Sequence, residues 1–144
     1  MKKLLLIISI VGAVVFASCD IETSNNGNLD GYWHLVAVDT LSNSRHTDLT
    51  DQVVYWAVQA KLLQLKGTEQ ELYMRFSHEG DWLTLSNPHL RDREREDPAV
   101  DEGYMHFLYP YGICSKEERF SVLKLTSEEM ILQSATLRLT FCKM

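Results

Sequence analysis

The sequence predicts an all-β domain, an antiparallel up-and-down barrel of eight strands that follows an N-terminal signal peptide and a short tether. Three observations lead there. From Leu29 onward the apolar residues recur with period two or in short runs, which is the strand pattern rather than the helical one. The runs number about eight and are of ordinary strand length, roughly five to seven residues. Turn-forming residues separate most of them closely, so the strands form a meander, and a meander of this size can close on itself and leave no exposed edge.

The first twenty residues read as an export signal. Lys2 and Lys3 precede an apolar run from Leu4 to Phe16, and small residues, Ala17 and Ser18, stand before Cys19. The apolar run is shorter than the roughly 17 to 25 residues needed to span a bilayer, which disfavours a transmembrane anchor. Ala17-Ser18-Cys19 resembles the lipobox of bacterial lipoproteins, with Phe16 where leucine is usual. That resemblance implies that Cys19 is lipidated, that residues 1–18 are removed, and that the mature chain is held at a membrane of the cell envelope by its lipid. Stable anchoring needs more than one acyl chain, since a single chain binds only marginally. The outer membrane is the location the resemblance implies.

Removing residues 1–18 takes away two of 14 basic residues and none of 20 acidic ones, moving the formal charge from −6 to −8. An acidic domain without a basic stripe is repelled by nucleic acid and by anionic headgroups, so neither is an expected partner. Residues 19–28 are polar after Cys19 and are expected to be a flexible tether. Residues 29–144 then suit one domain with one core.

In chain order, Tyr32 to Val38 is the first expected strand, with Trp33, Leu35 and Ala37 on one face. Val53 to Ala60 is rich in β-branched and aromatic residues, which favours a strand over a helix, and Leu62 to Lys66 follows. Residues 71–86 read as a hairpin, with Glu79-Gly80-Asp81 as its tight turn. Phe120 to Leu125, Met130 to Ser134 and Thr136 to Lys143 complete the meander. Leu35, Leu65, Leu72, Met74, Phe76, Leu83, Leu85, Phe120, Val122, Leu132, Leu137, Leu139 and Phe141 are large, and facing inward they would fill a narrow barrel.

Gly31-Tyr32-Trp33 at the start of the first strand looks like the Gly-x-Trp signature of lipocalins, and the ending from Phe120 to Phe141 is similar to lipocalin-like lipoproteins of the Bacteroidetes type. The Thr-Asp-Tyr tripeptide, a second lipocalin signature, is absent. The resemblance implies a barrel closed at one end by Trp33, with a basic residue near the last strand lying over its ring. Arg138 is the candidate for that cation–π contact. It also implies a small apolar ligand.

With Cys19 lipidated, Cys114 and Cys142 remain in an oxidising compartment, either as a disulfide or as two free thiols. The five histidines show no metal-ligand spacing, and no nucleophile elbow or phosphate-binding glycine loop is present, so no catalytic residue, metal or cofactor is expected. Two segments stand out as binding surfaces. Arg91, Arg93 and Arg95 lie in a mixed charge run that ends at Pro98, and Tyr104, His106, Tyr109 and Tyr111 are concentrated within eight residues, read as a short strand with Tyr104 and His106 on one side. Two functions follow. The chain is either a lipid-anchored carrier of a small apolar ligand or an interaction module whose filled barrel presents its loops to an envelope protein or glycan, because a barrel of eight strands can hold side chains or one small ligand.

Overall fold

A computed structural model describes residues 24–144. The expected signal peptide, Cys19 and the first part of the expected tether lie outside the described residues. Nine strands are present among those described: β1 (Gly31–Thr40), β2 (Arg45–Asp48), β3 (Tyr55–Gln59), β4 (Leu62–Lys66), β5 (Leu72–Glu79), β6 (Trp82–Leu90), β7 (Glu118–Leu125), β8 (Glu129–Gln133) and β9 (Leu137–Lys143). Strand β1 pairs with β3, and each later strand pairs antiparallel with the next. The last, β9, returns to β1 and closes an eight-stranded barrel. The extra strand is β2, four residues that pair with Ala37–Thr40 after β1 has parted from β3. It was missed because Arg45-His46-Thr47-Asp48 is fully exposed and carries no apolar alternation.

The closure depends on β1 serving three partners. Its first half faces β3, its second half faces β2, and β9 runs along the other edge from Trp33 to Thr40, with a bulge between Leu35 and Ala37 that gives the ribbon the bend it needs. The β3–β4 and β5–β6 hairpins turn in two residues each, Ala60-Lys61 and Gly80-Asp81. These turns, the β7–β8 turn and the start of β1 share one end of the barrel, here called the base. The β4–β5, β6–β7 and β8–β9 connections share the other, the mouth.

Alternation puts one face of each strand inside. Trp33 and Trp56 are directly opposed on β1 and β3, both fully buried, and the Trp56 ring meets Phe141 at 4.8 Å and Phe120 edge-on at 5.9 Å between centroids. All thirteen large residues expected to face inward are either buried or packed against the buried cluster. The core is larger than that expectation, because Met105, Leu108, Tyr111 and Ile113 from the β6–β7 connection also join it.

Replacing Trp33 with Ala should cost about 3 to 5 kcal/mol, the range for truncating a large buried aromatic. Urea unfolding of the barrel domain measures this, and an unchanged midpoint would mean that Trp33 does not seal the base.

Candidate functional site

At the base, Trp33 is held by more than burial. Its indole N–H donates to the carbonyl of Leu29 at 2.9 Å, within the single 3-10 turn Gly27–Leu29 that leads into β1. Gly31 between them has φ 134, and a Cβ there would sit 3.0 Å from Cε of Lys143. The glycine of Gly31-Tyr32-Trp33 therefore makes room for the lysine. Lys143 Nζ lies 4.7 Å from the Trp33 ring centroid and donates to the carbonyl of Asn28 at 2.9 Å.

This corrects the assignment of Arg138. In the antiparallel register Trp33 faces Lys143 while Arg138 faces Asp39, six positions along β1, and the Arg138 guanidinium instead donates to Gln133 Oε1 at 3.0 and 3.1 Å. The signal was present in the sequence: pairing Leu35 with Phe141 on the inner face brings Lys143 onto Trp33 by counting alone.

The expected tether is fastened to the base from Ser24 onward. Asn26 Nδ2 donates to the Ala60 carbonyl and to Asp30 Oδ1, both at 2.7 Å, and its backbone N–H donates to Asp30 Oδ2 at 3.0 Å. Ser24 Oγ accepts from the Ala60 N–H at 2.8 Å and donates to Asp30. Ala60 has φ 52, a left-handed conformation that costs a non-glycine residue roughly 1 to 2 kcal/mol. Both of its backbone groups are thus engaged by the incoming chain. Partial burial raises the pKa of Asp30, but the hydrogen bonds from Ser24 and Asn26 and the charge of Lys143 outweigh it, leaving the carboxyl below its ordinary value.

At the mouth, the segment from Tyr104 to Tyr111 is not a strand. It forms two 3-10 helices, Glu102–Phe107 and Tyr109–Tyr111. Asp101 caps the first by accepting from the Gly103 N–H at 2.9 Å, and Pro110 in the second lacks the N–H a ladder would need. Tyr111 is fully buried and so is no part of a binding surface. Its hydroxyl accepts from Thr68 Oγ1 at 2.8 Å and donates to the Gln70 carbonyl at 3.1 Å, while its carbonyl accepts from Trp56 Nε1 at 3.2 Å. Burial raises the Tyr111 pKa, with the Thr68 hydrogen bonds opposing, so the ring enters the core as a neutral phenol. Gly112 follows at φ 78, where a Cβ would lie 2.5 Å from Leu139 Cδ2. Residues 105–113 are thus a plug in the mouth of the barrel.

The outer side of the plug carries the other three residues of the group. Tyr104 and Tyr109 are 41% and 55% exposed, and Tyr104 and His106 both lie against Phe107, at 6.3 and 4.0 Å between ring centroids. Of the three arginines, Arg91 is committed to structure. Its guanidinium bonds Glu71, lowering the carboxylate's pKa, and its backbone N–H donates to the Glu71 carbonyl at 2.9 Å. Arg93 and Arg95 are exposed on a loop folded by its own carboxylates, with Asp92 Oδ1 accepting from the N–H groups of Glu94 and Arg95.

No disulfide joins Cys114 to Cys142; both are free and exposed. Cys114 lies beside Thr136, just before β9, whereas Cys142 is near the end of that strand. Six strand residues set them about 20 Å apart, far beyond disulfide reach. Among the described residues no group of three or more His, Cys, Asp or Glu side chains is placed to hold a metal ion.

Outside the barrel, a groove of about 500 Å³ runs along β4, β5 and β6, bordered by Leu62, Tyr73, Arg75, Asn87, His89 and Asp97. It coincides with a β5–β6 bulge between Tyr73 and Arg75, and Asn87 there has φ 51. His89 Nδ1 donates to the Asn87 carbonyl at 2.8 Å. Local propensity gave no sign of this feature, because it depends on which side chains a bulge re-aims.

A closed antiparallel barrel with a Gly-x-Trp base, a basic residue on that tryptophan and a 3-10 turn leading in defines a lipocalin-type β-barrel. The chain belongs to the lipocalin-like domain family, whose profile matches residues 14–144. Two solved structures are similar. One is a lipocalin-like protein from Bacteroides uniformis, at 16% identity and a TM-score of 0.60, covering 82% of this chain and all of that one. The other is an uncharacterized protein from Bacteroides eggerthii, at 15% identity and a TM-score of 0.57, covering 80% of this chain and 98% of that one. At these identities the likeness is one of fold. No match was found among curated proteins.

The base also makes a pH prediction. Because the Asp30 pKa is depressed on folding, its contribution is complete above the unfolded value and is lost as pH falls through the folded one. Asp30→Asn should therefore destabilise the domain at neutral pH, and the gap from the unsubstituted protein should shrink in acid. Thermal melts of both proteins across the acid range measure it; a gap independent of pH would show that the carboxylate charge is not what fastens the tether.

Proposed function

We propose that this chain is a lipid-anchored, non-catalytic binding protein of the cell envelope, held at the outer membrane through Cys19, whose packed barrel serves as a rigid scaffold for recognition at its mouth and outer wall. The observation that carries the reading is the filled interior. Trp33, Trp56, Phe120, Phe141 and Met74 occupy the barrel from the base upward, and Tyr111 with Leu108 closes it above. The same barrel can either be packed or hold one small ligand, and here the volume is taken by side chains. Tyr104, His106, Tyr109, Arg93 and Arg95 are then the exposed residues available to a partner protein or glycan. Tyrosines with an apolar ring and a polar tip suit such contacts.

One observation favours the second reading, a small apolar ligand inside. The plug belongs to a long connection rather than to a barrel strand, and the side-chain bonds holding it are those of Tyr111 and Trp56. A ligand that displaced residues 105–113 would find an apolar interior. For the anchor, the lipobox-like Ala17-Ser18-Cys19 supports the reading.

Mass spectrometry of the protein extracted from its own cells tests both parts. The expected result is an N-terminal peptide beginning at an acylated Cys19 and a native folded mass with no added small molecule. An unmodified Cys19 would refute the anchor. A reproducible extra mass of small-molecule size would replace the packed-scaffold reading with the carrier one.

A further inference from the structure

We infer that the base of the barrel docks on the membrane surface, with Trp82 and Leu123 entering the headgroup region, so that the plugged mouth faces away from the bilayer. This rests on the lipid anchor proposed above. Three observations converge on it.

The first is the length of chain between the anchor and the barrel. Ser24 and Asn26 are hydrogen-bonded to the β3–β4 turn and to Asp30. Only residues 20–23 separate Ser24 from Cys19, and even fully extended the five intervals reach at most about 18 Å. The barrel therefore cannot stand far from its lipid, and the end nearest the lipid is the base.

The second is a group of exposed apolar side chains at that end. Trp82, directly after the β5–β6 turn, is 44% exposed, and Leu123, near the end of β7, is 49% exposed. Tyr32 at the start of β1, Leu62 after the β3–β4 turn and the C-terminal Met144 are exposed at the same end, where the Met144 N–H donates to the Tyr32 carbonyl at 2.9 Å. Exposed Leu41, Val53, Tyr104 and Tyr109 lie at the mouth, so it is the short reach from the anchor that selects the base group, which four strands and the terminus supply.

The third is the chemistry of that rim. Arg119 Cζ sits 3.8 Å from the Trp82 ring centroid, so the indole has a cation on one face. Tryptophan and arginine together suit the water–lipid boundary, where the ring lies at headgroup depth and the long basic side chain reaches back toward the phosphates. Lys61 and Lys143 share the rim with Glu79, Asp81 and Glu128. With both signs present, docking depends on the apolar side chains and not on anionic lipid.

The test uses the full lipidated protein reconstituted into phosphatidylcholine vesicles, with and without brominated phosphatidylcholine. The expected result is that brominated lipid quenches a part of the tryptophan emission that is lost in Trp82→Phe, since Trp33 and Trp56 are buried in the core. A Trp82→Phe, Tyr109→Trp variant, which carries its probe at the mouth, should show no such component. Adding anionic phosphatidylglycerol should leave the Trp82 component unchanged. Protein that floats with the vesicles but shows no Trp82-dependent quenching, or equal quenching at Tyr109→Trp, overturns the docking while leaving the anchor intact. Failure to float overturns the anchor and the docking with it.

Discussion

The structure depends on the pairing of β1 with β9. Without it the eight strands would be an open sheet with two exposed edges; with it, every barrel strand has neighbours on both sides. The register of that one ladder places Trp33 beside Lys143 and Leu35 beside Phe141, and it carries the Lys143 ammonium to the Asn28 carbonyl. The tryptophan, the glycine that admits the lysine and the turn that accepts the indole hydrogen bond are therefore one unit. The incoming chain is tied into the same place through Asp30, which receives Ser24 and Asn26 and feels the charge of Lys143.

From that unit the two ends of the barrel take different characters. The base is built from turns of two or three residues and a fastened N-terminal segment, with apolar side chains at its rim. The mouth includes the long β6–β7 connection, which turns inward and fills the opening with Leu108 and Tyr111. Tyr111 is buried, yet no buried side-chain polar atom is left without a partner among the described residues, because its hydroxyl is received at the β4–β5 connection. The outward side of the same plug carries Tyr104, His106 and Tyr109. One segment thus completes the core on one face and leaves these three side chains exposed on the other.

Much of this was legible in the sequence. Period-two runs, with β-branched and aromatic composition for β3, located all eight barrel strands, and the thirteen large residues expected inward do pack; Ala37, expected on the face of Trp33 and Leu35, is turned off it by the bulge after Leu35, and Val38 packs in its stead. The Gly31-Tyr32-Trp33 signature marked the base correctly. What failed were statements about partners. Arg138 and Lys143 are both basic residues of the last strand, and only the register separates them. Cys114 and Cys142 seemed pairable until the length of β9 was set between them. The tyrosine segment resembled a strand by composition, but Gly103 and Pro110 break it, and the pull of the barrel's open mouth on Leu108 and Tyr111 is a tertiary effect that no local pattern records. The polar stretch from Glu22 to Asn28 gave no hint that Ser24 and Asn26 have acceptors and donors waiting at Ala60, a turn thirty-odd positions away.

The central claim is that residues 105–113 are part of the core rather than a loose cover over an empty barrel. Hydrogen exchange of the barrel domain, read at single-residue resolution, tests it most directly. The amides of Leu108, Tyr111 and Gly112 bond to carbonyls within the plug at 3.0 Å, and they should exchange as slowly as those of β7 and β9, opening only when the barrel does. Exchange within seconds, while the strands stay protected, would mean that the mouth opens on its own and that the interior is accessible to a ligand.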